Sequence, residues 1–299
     1  GDYSSIDFEA ALAGSETGYT GYPMFNSPDA VATTFKEAGF DLVVTANNHS
    51  LDRGYKGAIR TLDVLKGAGL DTVGTYRNEE EARSFLIKDI KGVKIGYLAY
   101  SYGTNGLPLP SEHPEFFNIL DRDKILTDIE TLRPRVDVLI LVLHWGQEYQ
   151  PKPTQEQILM AHEFLNAGAD IILGNHPHVV QTMEIVKVGN KDKFVIYSMG
   201  NFISSQHGRE RNSGIVLKMK LSKNMNSGET ILEEVSYTPT YSHPYYDQGK
   251  LKYRVIPVEA GMERIKQGQD PFMSERDLPI LEAVLQSTRG QLGEPYYRE

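Results

Sequence analysis

A chain of 299 residues, 40% apolar and 24% charged, can bury a large core as one domain or as a domain with a smaller lobe. Its net charge of −9 argues against a nucleic-acid binder, whose footprint is basic, and disfavours electrostatic docking on an anionic membrane. Cysteine is absent, which excludes disulfides and thiolate metal sites and leaves His, Asn, Asp and Glu as metal ligands.

No run of about 18 apolar residues exists, so direct membrane insertion by this chain is not expected. The opening Gly1-Asp2-Tyr3 is compatible with a targeting segment removed upstream.

In chain order, Ile6 and Phe8 alternate with Asp7 and Glu9, the pattern of a short strand with both carboxylates on one face. Ser27-Pro28-Asp29 opens a helix that runs to Gly39. The apolar run 41–46 reads as a buried strand and leads straight into Asn47, Asn48, His49 and Asp52. An amphipathic helix over 57–69 follows, then short strands near 71–74, 85–88 and 93–99. Residues 102–118, with Gly, Pro and Asn throughout, read as a long loop suited to a lid or substrate edge. A helix over 121–132 precedes the most apolar strand, 136–143, which ends in His144 and Trp145, the single tryptophan.

A helix over 153–167 then feeds a strand at 170–173 and the pair His176-Pro177-His178. Proline fixes its own φ and favours an extended residue before it, so both imidazoles are expected on one side of an extended segment. Another strand, 194–198, ends in Asn201, and a polar loop carries His207, Arg209 and Arg211. Beyond Gly214 the pattern becomes alternating strands (215–221, 230–237, 252–257) and a terminal helix over 274–286. One domain with a β-rich C-terminal part is the economical reading.

The strands at 41–46, 136–143, 170–173 and 194–198 are continuous apolar runs, as in α/β sheets covered on both faces. Each runs into a polar cluster, and open α/β sheets bind ligands where their strands end. Asn48/His49, His144, His176/His178 and Asn201 are therefore expected to share a site. Several His, an Asn and carboxylates without Cys match a hydrolytic centre of one or two divalent ions, Mn, Fe or Zn. Side chains of adjacent residues diverge, so of Asn48 and His49 one can bind metal while the other faces substrate as general acid. Arg209 and Arg211 either hold an anionic substrate or are solvated loop charges.

The stretches Ala46–Gly54, His144–Tyr149, Gly168–Val179 and Tyr197–Phe202 resemble the bacterial CapA/PgsA capsule-synthesis proteins, in order, over about residues 2–220. That family is tied to the synthesis, transport or anchoring of poly-γ-glutamate and belongs to the calcineurin-like metallophosphoesterase superfamily. The resemblance implies a four-layer α/β/β/α sandwich over 1–240, with 241–299 as a C-terminal extension packed on the same domain. It implies Asn48, His144, His176 and His178 as metal ligands and His49 as the catalytic acid; Asp7 and Glu9 are read as further metal ligands, and Asp52 and Arg209 as catalytic residues with His49. Asn47, Asn201, Arg211 and Trp145 would meet substrate.

Asp7 stands where the family has Asn, Asn175 where many members carry a further His, and the family's first strand is expected to be missing from this chain. The implied partners are an anionic polymer or phosphorylated small molecule and the membrane-bound synthase subunits, with the parent protein at the extracellular face of the membrane. Three functions compete: a capsule factor hydrolysing or transferring polymer or a phosphorylated precursor; a non-enzymatic polymer-binding or scaffold subunit; and a general metal-dependent phosphatase or nucleotidase.

Overall fold

Short apolar runs bounded by glycines and polar turns form the strands that carry the polar clusters. A computed structural model describes residues 1–297. They fall into two units: Gly1–Trp145 with Glu163–Ile172, and Gly146–His162 with Leu173–Glu299.

In the first unit β1 (Ser5–Asp7), β2 (Leu42–Val44) and β3 (Asp71–Val73) form a parallel sheet in the order β1-β2-β3. Ile6, Phe8 and Val43 pack against Val31, Ala32 and Phe35 of α1 (Ala30–Glu37) and Leu65 of α2 (Gly54–Gly67). The period of two therefore sends Asp7 to the opposite face from the helices. Ser27 does not cap α1, which begins later; Asp29 instead makes twin bonds of 2.7 and 2.8 Å with Arg60 of α2. A short helix not expected from the sequence, α3 (Glu79–Arg83), starts on Asn78, whose side chain accepts from the Glu81 amide.

A second sheet holds β4 (Leu86–Ile90), β5 (Val93–Ser101) and β6 (Val138–His144), with β4 and β5 antiparallel and β5 and β6 parallel. Alternate residues of β5 choose opposite neighbours. The Tyr97 ring meets Tyr3 beside the first sheet, at 5.8 Å between centroids. Tyr100 donates to Asp128 of α4 (Arg122–Leu132), and Gly96 leaves room for Leu132 on the same helix. Ile125, Ile129 and Leu132 are fully buried, and each such aliphatic side chain contributes about 1.5–3 kcal/mol. Helices, sheet, sheet and helix thus succeed one another within this unit, the α/β/β/α order expected from the sequence.

The strands at 41–46 and 136–143 lie in different sheets: β2 pairs with β1 and β3, whereas β6 pairs with β5. A continuous apolar run reports cover on both faces, and a strand between a helix layer and a second sheet meets that condition as well as one in a doubly covered single sheet. The unit is completed by the end of α5 (Gln155–Ala167) and the start of β7 (Ile171–Asn175), where the Asp170 amide donates to Leu139.

In the second unit the end of β7 neighbours β9 (Lys191–Ile196), which forms an antiparallel hairpin with β8 (Met183–Val188) around Gly189. A meander of β10 (Ser213–Lys223), β11 (Thr230–Asp247) and β12 (Lys250–Pro257) follows. Val258 and Ile265 of α6 (Val258–Lys266) and Leu281 and Val284 of α7 (Leu278–Leu292) bury a core with Tyr241 and Ile256. The last strand, β13 (Tyr296–Tyr297), pairs with β11. Neither β8 nor α6 was expected from the sequence. Among the described residues no helix is long and apolar enough to cross a membrane.

Candidate functional site

The first unit gathers seven of the expected residues, Asp7, Glu9, Asn47, Asn48, His49, Asp52 and His144, where β1, β2 and β6 end. After β2 the chain turns through Asn47–Ser50, and this turn is tightly held. The Ser50 hydroxyl lies 2.6 Å from the carbonyl oxygens of both Thr45 and Asn47, and the Asn47 amide donates back to it. Asn47 Nδ2 donates to Asp7 Oδ1 and to the Phe8 carbonyl, while its Oδ1 accepts from the His49 amide. Asn47 is fully buried and uses both ends of its amide on the protein, so it positions the turn instead of meeting substrate as expected. Gly74 permits the turn's approach: with φ +109°, it leaves no space for a Cβ, which would sit 2.4 Å from the Cβ of Ala46.

Past the turn, Asn48 and His49 diverge as expected. Asn48 Nδ2 donates to Asn105, which fixes the amide so that Oδ1 lies 2.7 Å from His144 Nε2. The other nitrogen of His144, Nδ1, lies 3.0 Å from Asp7 Oδ2, and Glu9 Oε1 lies 3.7 Å from Nε2. The carboxylate of Asp7 selects the tautomer with the proton on Nδ1. Nε2, Asn48 Oδ1 and Glu9 Oε1 then converge as three acceptors, an arrangement that suits a cation among them. The donor set is nitrogen and oxygen without sulfur and fits a borderline or hard divalent metal.

His49 sits beside this group but faces Asp52, with Nδ1 2.8 Å from Asp52 Oδ2. Asp52 is buried, also accepts from the Phe25 amide, and so holds the imidazole in one orientation. The Phe25 ring meets His49 edge-on at 4.6 Å. Asn105, which the sequence reading did not single out, reaches both Asn48 (3.0 Å) and His49 (Nε2, 3.5 Å). It has φ +52° and is followed by Gly106, an Asn-Gly turn signal in the loop read only as a lid. Trp145 is buried, 2% exposed, and does not present its ring to solvent as a substrate platform.

In the second unit the His176-Pro177-His178 segment departs from expectation. His176 has φ +96° and His178 φ +58°, so neither is extended. Such conformations cost about 1–3 kcal/mol each, persist only where surroundings impose them, and gather at functional sites. The imposing contacts are visible: the Tyr149 amide donates to the Pro177 carbonyl, and Asn201 Oδ1 lies 3.0 Å from His178 Nδ1. The two rings still lie close, 6.1 Å between centroids. Asn201 thus orients His178 and, through Nδ2, donates to the Arg211 carbonyl. The Arg211 guanidinium lies over the Tyr149 ring at 5.1 Å, and that ring stacks on His178 at 5.9 Å. Arg209 pairs with Glu210 at the surface. Burial and neighbouring Glu148 push the Tyr149 phenol up, with Arg211 opposing, so it remains a protonated donor.

Among curated relatives, a capsule biosynthesis protein CapA of Bacillus anthracis is 32% identical over 205 residues, covering 67% of this chain and 48% of that protein. A PGA biosynthesis protein CapA of Bacillus subtilis is 29% identical over 191 residues, covering 63% of this chain and 49% of that one. The chain thus spans about half the length of the curated relatives it matches. Among solved structures, the Haemophilus influenzae NAD nucleotidase aligns with a TM-score of 0.46 at 12% identity, covering 88% of this chain and 48% of that one. The family model described as bacterial capsule synthesis protein PGA_cap matches residues 1–206, and the chain belongs to that family.

Proposed function

We propose that this protein is a capsule and poly-γ-glutamate biosynthesis factor with a divalent metal centre of metallophosphoesterase type, which hydrolyses or transfers the polymer or a phosphorylated precursor. The observation that carries this reading is the convergence of His144 Nε2, Asn48 Oδ1 and Glu9 Oε1 around the imidazole that Asp7 orients. Asn48, His144 and Glu9 would hold the metal. When bound, the ion supplies an acidified water and a clamp for an anionic oxygen.

The chain's own residues do the rest. Asp7 keeps the His144 proton on Nδ1, directing Nε2 toward the donor set. Asp52 accepts from His49 Nδ1, which leaves Nε2 as the atom that carries a proton to a leaving oxygen. Asn105 borders both groups and limits where a substrate oxygen can sit. The parent protein is placed, in this reading, at the outer face of the membrane beside the polymer synthase subunits.

The experiment is polymer production in cells whose full-length protein carries His49→Ala, with metal content measured on the purified variant. Loss of polymer at unchanged metal content and fold supports a chemical role. Normal production in the same variant refutes it and leaves a scaffold.

A further inference from the structure

Tyr149 holds a conformation its residue type disfavours. It is not glycine, yet φ is +64°, and its ring is 45% exposed. An exposed aromatic kept in the left-handed region needs anchoring, and the anchors are present. Its amide donates 2.8 Å to the Pro177 carbonyl, between the two histidines. Just beyond it, fully buried Gln181 donates to the carbonyls of Gln150 and Lys152 and fastens the segment that carries Tyr149.

The anchored ring then acts as a floor. His178 stacks against it and the Arg211 guanidinium lies over it, while Asn201 links the Arg211 carbonyl to His178 Nδ1. His178, Tyr149, Arg211 and Asn201 make a closed circuit, so the guanidinium keeps a fixed place relative to the imidazole. No carboxylate lies within ion-pair distance of Arg211 among the described residues, and the adjacent Glu210 pairs with Arg209. The half-buried guanidinium lies over the ring and hydrogen-bonds the Tyr149 phenol, and its remaining N–H groups suit a planar, bidentate anion. Stacking also lowers the entropy lost when those groups are engaged.

We infer that Tyr149 and Arg211 form a carboxylate-binding subsite that holds a free carboxylate of the polyanionic substrate next to His178. This assignment rests on the polyglutamate reading above. Arg211 makes the paired hydrogen bonds, and Tyr149 is a positioning residue that keeps the guanidinium flat and in place. The net charge of −9 makes such a local cation necessary for any polyanion to approach this face.

The test is calorimetric titration of the full chain with a γ-linked glutamate tripeptide and with the same tripeptide amidated at every carboxylate. Metal content and thermal melting are recorded for each variant. Arg211→Gln is expected to weaken the acidic tripeptide by about tenfold or more at unchanged metal content and melting. Tyr149→Phe, which keeps the stack, is expected to stay within about threefold, while Tyr149→Ala weakens it as Arg211→Gln does. Equal affinity of Arg211→Gln for the acidic tripeptide, or equal binding of the amidated one, overturns the subsite. So does capture of inorganic phosphate without the tripeptide. A protein that binds no metal but loses the tripeptide in Arg211→Gln refutes the metal centre and leaves the subsite standing.

Discussion

Asp7 and His144 are 137 residues apart in the chain and 3.0 Å apart between Oδ2 and Nδ1. A carboxylate behind a ligating imidazole fixes its tautomer and raises its basicity, and its loss costs about 10- to 100-fold in metal affinity. Asp7→Ala is therefore expected to weaken Mn²⁺ binding by that factor with the fold retained. Titration calorimetry reads it, and an unchanged affinity contradicts the orienting role.

Gly74 is the point where β3 admits the Asn47–Ser50 turn. A Cβ there would lie 2.8 Å from the Ala46 backbone nitrogen at φ +109°. Gly74→Ala is expected to cost about 2–4 kcal/mol, from backbone strain plus overpacking. Denaturant unfolding measures this, and a loss below about 0.5 kcal/mol would show that the turn yields easily.

Asp270 makes a pH-dependent contribution in the second unit. Burial pushes its carboxyl up, but Arg254 and the amides of Phe272 and Met273 outweigh burial and hold it below the ordinary carboxylate value. A lowered carboxyl stabilises the fold above its unfolded value and loses that contribution as pH falls through the folded one. Asp270→Asn should thus cost about 1.5–3 kcal/mol at neutral pH and flatten the loss of stability from about pH 4 downward. Parallel acid titrations of the two proteins would refute this.

What the sequence disclosed followed burial and period. The alternation Ile6-Asp7-Phe8-Glu9 told which side chains meet the helices and which face the site, because two faces of one strand have different neighbours. The run 136–143 was legible as a buried strand for its length and branching, and the strand formed is Val138–His144. Sheet membership was not, since β2 and β6 look alike in composition yet belong to different sheets. Nor were the positive φ values at His176 and His178, which are imposed by Tyr149 and Asn201 from elsewhere in the chain. Asn105 and Tyr149 escaped notice for the same reason: their roles arise from contacts that local pattern does not encode.

The central claim is that the group oriented by Asp7 holds a metal ion, and elemental analysis of purified protein tests it most directly. The reading expects about one or two Mn, Fe or Zn ions per chain, and loss of them in Asn48→Ala/His144→Ala with the fold intact. Equal metal content in that folded double variant, or a native protein that takes up none of these ions, contradicts it.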